Sequence, residues 1–185
     1  GVGAAGLPES IAEFLPKPVQ WLMKLMAGKS KVPANAKVEY QYATAIPIGT
    51  ALAQSWNLDL AKACGDIVGD EMERFGVHLW LAPALNIHRS IRCGRNFEYY
   101  SEDPVLSSFM AAEQTIGEQK YGVIAAVKHF AFNDTEVNRT GVAPFMTEQK
   151  AREGDIRAMQ SPIEDAKCPG VMTAYNRAGV YTDNS

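Results

Sequence analysis

The 185-residue sequence is poor in the features that mark several classes of protein. Its three cysteines, Cys64, Cys93 and Cys168, are too widely spaced for a disulfide framework or a zinc site, so we predict buried free thiols. No apolar run approaches the roughly 20 residues that span a bilayer. With 18 basic and 21 acidic residues, the net charge of -3 offers no electrostatic footprint for nucleic acid or for a membrane. We therefore expect neither as a partner.

Other signatures of ligand binding and catalysis are missing too. The sequence has no glycine-rich phosphate loop and no Ser-His-Asp arrangement. His78 and His88 have no partner at metal-ligand spacing, so both are expected in the core or on the surface. We therefore expect no cofactor and no metal. A nucleotide-binding α/β domain, which would carry a glycine-rich turn after its first strand, is disfavoured for the same reason.

What the sequence does contain is an alternation of strand and helix signals, in a chain whose 46% apolar content is typical of a globular protein. Short apolar runs bounded by glycine or proline predict strands covered on both faces, at 77–87, 123–132 and 170–175. Helices are predicted at 51–75, 104–119 and about 148–166. The expected caps are Thr50 and Thr147, and the expected stops are Gly76 and Gly122.

This alternation predicts successive β–α units that join by right-handed crossovers into a parallel sheet. The strands begin about every 46 residues, which leaves room for long loops at one end of the sheet. Such loops build the active site of a (β/α)8 barrel. We therefore predict an α/β fold, a partial (β/α)8 TIM-type barrel that is incomplete at both ends. Residues 1–185 would form part of one domain, with 8–46 an inserted loop that contains a short helix at 19–26.

The segment from Cys93 to Pro104, CGRNFEYYSEDP, follows the first predicted strand and is chemically dense. It combines a guanidinium, several carboxylate and amide groups, and three aromatic rings. Charged hydrogen-bond partners bind sugar hydroxyls, and aromatic surface binds the faces of sugar rings. Gly94 would let the backbone come close to a ligand beside Arg95. The segment therefore indicates a site for a polyhydroxylated ligand.

Two further motifs lie at the ends of the next two predicted strands. Lys128-His129-Phe130 ends an apolar run, and charged groups there cost free energy unless something pairs with them. A salt bridge for Lys128 and a core hydrogen bond for His129 would meet that need, as a ligand would. In the third motif, Met172-Thr173-Ala174-Tyr175-Asn176, Met172 and Tyr175 suit ordinary packing almost as well as a binding site.

In order and spacing, the three motifs resemble those of glycoside hydrolase family 3, which includes many β-glucosidases. The resemblance runs from about Ala43 to Asn176 and implies the N-terminal barrel domain of that family. It implies that five side chains bind the substrate: Arg95, Lys128, His129, Tyr175 and Met172. It also implies supporting roles without substrate contact, for Glu98 beside Arg95 and for Asn133, Glu136 and Arg139 in the loop after the second strand.

Members of this family hydrolyse terminal β-linked sugars with retention, which needs two carboxyl groups roughly 5 to 5.5 Å apart. The family's nucleophile is an aspartate usually followed by tryptophan, and no Asp-Trp pair occurs in this sequence. The resemblance therefore implies a nucleophile and an acid/base outside this chain, in the remainder of the barrel and a C-terminal domain. We predict a β-glucosidase fragment that is itself inactive, with a β-glucoside or oligosaccharide as substrate.

The residues after the second motif narrow the substrate. Ala131-Phe132-Asn133 stands where the family's N-acetylglucosaminidases carry Pro-Gly and a histidine-bearing loop. This difference favours terminal β-D-glucosyl or xylosyl residues. A second hypothesis is a non-catalytic carbohydrate-binding relic of the same fold. Among the other acidic residues, Glu102 and Asp103 are predicted to cap the next helix, and Asp134 to be exposed to solvent.

Overall fold

The computed structural model describes residues 16–19, 21 and 42–180, and the chain divides into two units after Gln41. In the first unit, residues 17–19 and 21 are helical, and Val19 and Trp21 are exposed. The rest of the short helix predicted at 19–26 lies outside the described residues. Most of the predicted inserted loop at 8–46 also lies outside them, and that loop stays a prediction.

The second unit is built on a parallel sheet. Within residues 42–180 the backbone forms three strands: β1 at Leu79–Trp80, β2 at Ile124–Phe130 and β3 at Gly170–Thr173. They pair in parallel in the order β1-β2-β3, with Leu79 opposite Ile124 and Val127 opposite Val171. Helices separate the strands along the chain. The predicted parallel α/β fold is therefore confirmed, as an open sheet with β1 and β3 at its edges.

The first strand is much shorter than the predicted 77–87. Beyond β1 the chain pairs with β2 through an isolated bridge between Ala84 and Lys128, and Pro83 has no N–H to give to a ladder. The apolar character of this run reflects burial instead, since Leu85 is completely buried in the core. β2 and β3 match their predicted runs more closely, and each ends two residues early.

Coverage of the sheet also differs from the prediction. Within β2, residues 125–127 are buried in succession, whereas Leu79 of β1 and Val171 of β3 are each 47% exposed. The expectation that every strand is covered on both faces is therefore right for β2 and wrong for β1 and β3. Among the described residues, no helix has both the length and the apolar character that crossing a bilayer requires.

The predicted helix at 51–75 is two helices, α1 at Gly49–Gln54 and α2 at Leu58–Phe75. Between them Trp56 adopts a left-handed conformation with φ 53°. Asn57 then caps α2, because its side chain accepts a hydrogen bond of 3.0 Å from the backbone N–H of Leu60. A local break therefore interrupts an apolar periodicity that runs through both helices.

Thr50 is not the predicted cap. It lies inside α1, and its hydroxyl lies 2.7 Å from the carbonyl oxygen of Asn96 and 2.8 Å from that of Tyr99. Thr50 therefore ties α1 to the loop that precedes the third helix. The two predicted stops are confirmed, since Gly76 ends α2 and Gly122 precedes β2, with φ of 66° and 73°.

The third helix, α3, runs over Pro104–Gln119, the limits that the sequence predicts. Asp103 caps it, because its Oδ1 accepts hydrogen bonds from the backbone N–H groups of Val105 and Leu106, at 2.7 and 3.3 Å. Proline suits the first helical position, where no N–H is needed. Glu102 makes no capping hydrogen bond, so that half of the prediction is wrong.

The last predicted helix is continuous but irregular. It consists of α4 at Glu148–Lys150, a π-helical turn at Ala151–Asp155 and α5 at Ile156–Glu164. Thr147 caps it as predicted, accepting a hydrogen bond of 3.2 Å from the backbone N–H of Lys150. The irregular turn contains Gly154, a residue of low helix propensity.

The core lies between β2 and the helices, and α2 and α3 are closest where both carry glycine. A Cβ atom on Gly65 of α2 would lie 2.1 Å from the carbonyl oxygen of Gln114, and one on Gly117 of α3 would lie 2.4 Å from that of Lys62. The two helix backbones are therefore in direct contact. The buried core around them includes Leu52, Cys64, Leu85, Met110, Val127 and Met159. All three cysteines are buried and free, as predicted.

This contact predicts the effect of Gly65→Ala. Alanine favours a helix over glycine by about 1 kcal/mol, but the added methyl group must push α3 away from α2. Overpacking against a backbone atom lies at the upper end of its usual cost, so after this gain we expect a net loss of about 1–2 kcal/mol in the free energy of unfolding, measured by urea denaturation. Gly94→Ala is the control, because a Cβ atom there meets nothing within 4 Å. Equal stability of the two variants would contradict the close contact.

Candidate active site

The predicted site residues gather at one end of the sheet. Lys128 and His129 lie near the end of β2, and Arg95 and Glu98 lie in the loop before α3. Met172 of β3 is the register partner of Lys128. The loops that follow parallel strands all emerge at the same edge of a sheet, so residues distant in sequence meet there.

Glu98 joins the first motif to the second. Its Oε1 accepts a hydrogen bond from Nε of Arg95, and its Oε2 lies 3.2 Å from Nζ of Lys128. The side chains of Arg95, Glu98 and Lys128 are only 20%, 23% and 14% exposed. Burial alone would raise the pKa of Glu98, but the hydrogen bond from Arg95 and the charge of Lys128 outweigh it and lower the pKa. Glu98 is therefore an ionised bridge between two cations.

Glu136 forms a second bridge in the loop after β2. Its Oε2 accepts a hydrogen bond of 3.1 Å from Arg139, and its Oε1 accepts one of 2.9 Å from the side-chain amide of Asn133. The same Oε1 lies 3.8 Å from Nη1 of Arg95. The two carboxylates thus hold Arg95 from two sides and connect it to both loops.

His129 is buried at this junction, with 3% of its surface exposed. Its Nδ1 lies 3.0 Å from Oδ1 of Asn86 and 3.4 Å from the hydroxyl of Tyr99. Burial, aided by the nearby charges of Arg95 and Lys128, lowers the pKa of His129 to about 3. The imidazole is therefore neutral at neutral pH and lies beside two cations without competing with them.

Tyr99 and Asn133 link the two loops beneath the charged groups. The Tyr99 hydroxyl donates to the carbonyl oxygen of Asn133 at 3.1 Å and accepts a hydrogen bond from the Asn133 amide at 3.0 Å. Burial raises the pKa of Tyr99, so the hydroxyl keeps its proton. This reciprocal pair sets the distance between the loop before α3 and the loop after β2.

Tyr175 and Met172 occupy the β3 side of the site. Tyr175 is 56% exposed, and the guanidinium carbon of Arg139 lies 5.0 Å from the centre of its ring. Met172 is half-buried in β3. The structure thus connects Arg95, Lys128 and Tyr175 through the Glu98, Glu136 and Arg139 network. Met172 is placed near them by strand pairing.

Asp134, His78 and His88 were each given an expected degree of burial. Asp134 is 1% exposed, so the prediction of a solvent-exposed carboxylate is wrong. It is buried because Arg89, which lies 45 positions earlier, pairs with both of its oxygens. His78 is exposed, which is one of the two placements predicted for it, whereas His88 is half-buried, with its Nε2 2.9 Å from the carbonyl oxygen of Asn96.

Asn86, Tyr99 and Arg89 belong to the same network, but the three sequence motifs do not single them out. A signal existed for Asn86, since an amide inside the apolar run 77–87 needs hydrogen-bond partners when it is buried.

Within the described part of the chain, no group of three or more His, Cys, Asp or Glu residues is placed to hold a metal ion.

Comparison with known proteins shows the family to which this chain belongs. The family model described as "Glycosyl hydrolase family 3 N terminal domain" matches residues 29–179. The chain belongs to glycosyl hydrolase family 3. The resemblance predicted from the three motifs is therefore confirmed.

Several relatives of this chain are β-glucosidases. "Probable beta-glucosidase H" of Emericella nidulans is 42% identical over 135 residues, which cover 73% of this chain and 16% of that protein. Beta-glucosidase A of Butyrivibrio fibrisolvens is 41% identical over 133 residues, covering 72% and 16%. The chain thus spans about a sixth of the length of the curated relatives it matches.

Solved structures show the same partial coverage. Beta-glucosidase 3B from Thermotoga neapolitana, in complex with glucose, matches with a TM-score of 0.77 and 42% identity, over 81% of this chain and 21% of that chain. The glucose complex of beta-glucosidase from Kluyveromyces marxianus matches with a TM-score of 0.71 and 32% identity, over 73% and 16%. The predicted partial match to the family's barrel domain is therefore confirmed.

The low pKa of His129 predicts sensitivity to acid. The unfolded imidazole takes up a proton near its ordinary pKa of 6.5, whereas the folded one resists protonation down to about 3. The stability that His129 contributes is complete above pH 6.5 and is lost as the pH falls toward 3, by up to about 4 kcal/mol. Urea unfolding of the chain and of His129→Gln, at several pH values between about 7 and 4, measures this loss.

His129→Gln should lower the slope of stability against pH in this range, because glutamine takes up no proton. The matched control is His78→Gln, which removes an exposed histidine and should leave the slope unchanged. An unchanged slope in His129→Gln would show that His129 is not held neutral in the folded chain.

Proposed function

We propose that this chain supplies the glycosyl-binding part of the first subsite of a retaining β-glucosidase. The whole protein would hydrolyse terminal, non-reducing β-D-glucosyl or xylosyl residues. The observation that carries the proposal is that Glu98 bridges Arg95 and Lys128 at one end of the sheet, where His129 is the residue next to Lys128. Tyr175 and Met172 would complete the binding surface from β3.

The charge balance of the cluster favours a neutral ligand. Three cations, Arg95, Lys128 and Arg139, face two carboxylates, Glu98 and Glu136, and each cation pairs with at least one carboxylate oxygen. A site for phosphate or another anion would keep its cations unneutralised for the ligand. Cations that already pair with carboxylates still have N–H groups to donate to hydroxyl oxygens. A sugar suits this combination.

Exposed aromatic surface next to the charged cluster supports the same ligand. The ring of Tyr175 is more than half exposed, and Arg139 holds it from one side. Sugar rings present patches of C–H groups that pack on aromatic faces, while their hydroxyls point to polar groups around the edge. Two of the related β-glucosidases were solved in complex with glucose, which makes glucose the first ligand to test.

The carboxylates of the cluster are poorly suited to the chemical step. A retaining mechanism needs one carboxylate free to attack and one carboxylic acid free to give up a proton. Glu98 and Glu136 are both paired with cations, and the pKa of Glu98 is lowered by Arg95 and Lys128 against the effect of burial. Asp134 is paired with Arg89. We therefore propose that the nucleophile and the acid/base come from the remainder of the barrel and a C-terminal domain.

The Glu98 bridge between Arg95 and Lys128 equally favours a second candidate, a carbohydrate-binding chain without catalysis. Both candidates bind the same sugar, and they differ in whether a longer protein supplies the two carboxyl groups. We expect no hydrolysis of an aryl β-glucoside by the 185 residues alone in either case. Turnover above that of a heat-inactivated sample would contradict the assignment of the chemistry to groups outside this chain.

Glucose binding tests the proposal directly. We expect saturable shifts in the amide NMR spectrum of the chain on addition of glucose, with a Kd of about 1–100 mM for a partial subsite. Lys128→Met should weaken binding by about tenfold or more, because methionine keeps the length of the side chain and removes the N–H donors and the charge.

The matched control for this variant is Lys120→Met. Lys120 lies at the end of α3, where it pairs with Asp66 at 3.3 Å, and its side chain is 58% exposed. The same chemical change there should leave glucose affinity as it is. Absence of any saturable shift with the unmodified chain, or an equal loss in both variants, would contradict the proposed subsite.

A further inference from the structure

Asn86 makes contacts that none of the three motifs reveals. It is 1% exposed and lies on the chain between β1 and α3. Its Nδ2 donates to the carbonyl oxygen of His129 at 3.0 Å, and its Oδ1 accepts from the backbone N–H of His129 at 3.0 Å. A carbonyl oxygen can only accept and a backbone N–H can only donate, so these two bonds determine which way the amide of Asn86 faces.

The fixed amide decides which ring nitrogen of His129 carries the proton. Nδ1 lies 3.0 Å from Oδ1 of Asn86, an oxygen that has no hydrogen to donate, so Nδ1 must be the donor. The second group beside Nδ1 is the Tyr99 hydroxyl at 3.4 Å, which gives its own hydrogen to the carbonyl oxygen of Asn133. Both neighbours of Nδ1 can therefore only accept a hydrogen bond from it, so Nδ1 carries the proton.

The other ring nitrogen, Nε2, is then left without a proton. Burial, together with the charges of Arg95 and Lys128, lowers the pKa of His129 to about 3, so the ring takes no second proton at neutral pH. Among the described residues, Nε2 has no hydrogen-bond partner. Arg95 and Lys128 can only donate hydrogen bonds, so His129 differs from them in being able to accept one.

We propose that Asn86 is a positioning residue that holds His129 as the Nδ1-protonated tautomer and so makes Nε2 the acceptor for a hydroxyl hydrogen of the bound sugar. A hydroxyl can accept from Lys128 or Arg95 through its oxygen and donate to Nε2 through its hydrogen. A sugar whose hydroxyl is methylated at that position keeps the first contact and loses the second. The tautomer is a property of this chain, and its use in sugar binding rests on the proposed function.

Long-range ¹H–¹⁵N NMR of the imidazole rings measures the tautomer directly. The chain has three histidines, and the signals missing in His129→Gln assign His129. His88 is an internal reference of the opposite kind: its Nε2 lies 2.9 and 3.1 Å from the carbonyl oxygens of Asn96 and Tyr99, so that nitrogen must carry the proton. We expect His88 protonated on Nε2 and His129 protonated on Nδ1 in the same spectrum.

Two substitutions at Asn86 separate its effect on the tautomer of His129 from the effect of its side-chain volume. Asn86→Leu keeps the size of the side chain and removes the acceptor, so we expect the Nε2-protonated form of His129 to appear and the Kd for glucose to rise about tenfold. Asn86→Asp keeps an acceptor beside Nδ1 and adds a negative charge. It should retain the Nδ1-protonated tautomer and raise the pKa of His129, which the same spectra follow as the pH is lowered.

The results of these experiments can overturn the role of Asn86 and the proposed sugar binding separately. A proton on Nε2 of His129 in the unmodified chain would overturn the inference, and so would an unchanged tautomer in Asn86→Leu. If Asn86→Leu does not fold, the unmodified chain and Asn86→Asp still decide the tautomer. If glucose does not bind the unmodified chain, the proposed function fails while the tautomer is still measured. If His129→Gln weakens glucose binding but Asn86→Leu, with a changed tautomer, does not, the positioning role fails and the proposed function stands.

Discussion

The charged end of this fold depends on one constraint, which is that a buried cation needs a partner. Arg95 and Lys128 are mostly buried, and Glu98 supplies both with an oxygen. Removing either cation would leave Glu98 with one partner in place of two, and removing Glu98 would leave two partly buried cations near each other. Glu98 therefore fixes the loop before α3 against β2, and the contacts of Thr50 with the same loop support it from the side of α1.

The parts of the fold that could be predicted depend on local chemistry. The cap at Asp103, the cap at Thr147 and the left-handed glycine at Gly76 are each set by neighbouring backbone groups, so a short sequence suffices to find them. The break at Trp56 was missed because apolar periodicity continues across it. β1 was predicted too long because a buried apolar run does not reveal whether it pairs with a strand or packs in the core.

The candidate site could be predicted only where its residues are close in sequence or match a family motif. Arg95 and Glu98 are three positions apart, so their contact is visible in the motif. Asn86 and Asp134 find their partners 43 and 45 positions away, across loops that the sheet brings together. No local pattern identifies those partners, and this explains why Asp134 was predicted to be exposed and why a buried amide at Asn86 could not be assigned to the site.

The polar groups that stabilise this end of the fold are the same ones that we propose for sugar binding. The oxygens of Asn86 and Tyr99 replace water as acceptors beside Nδ1 of His129, and they favour a neutral ring with its proton on Nδ1. Acid that protonates this ring would weaken the fold, because a charged imidazole would be buried beside two cations. It would also turn Nε2 from an acceptor into a donor, in a site where Arg95 and Lys128 already donate. The burial that keeps His129 neutral is therefore the same feature that gives one end of the sheet both donors and an acceptor, the combination that the proposed sugar ligand requires.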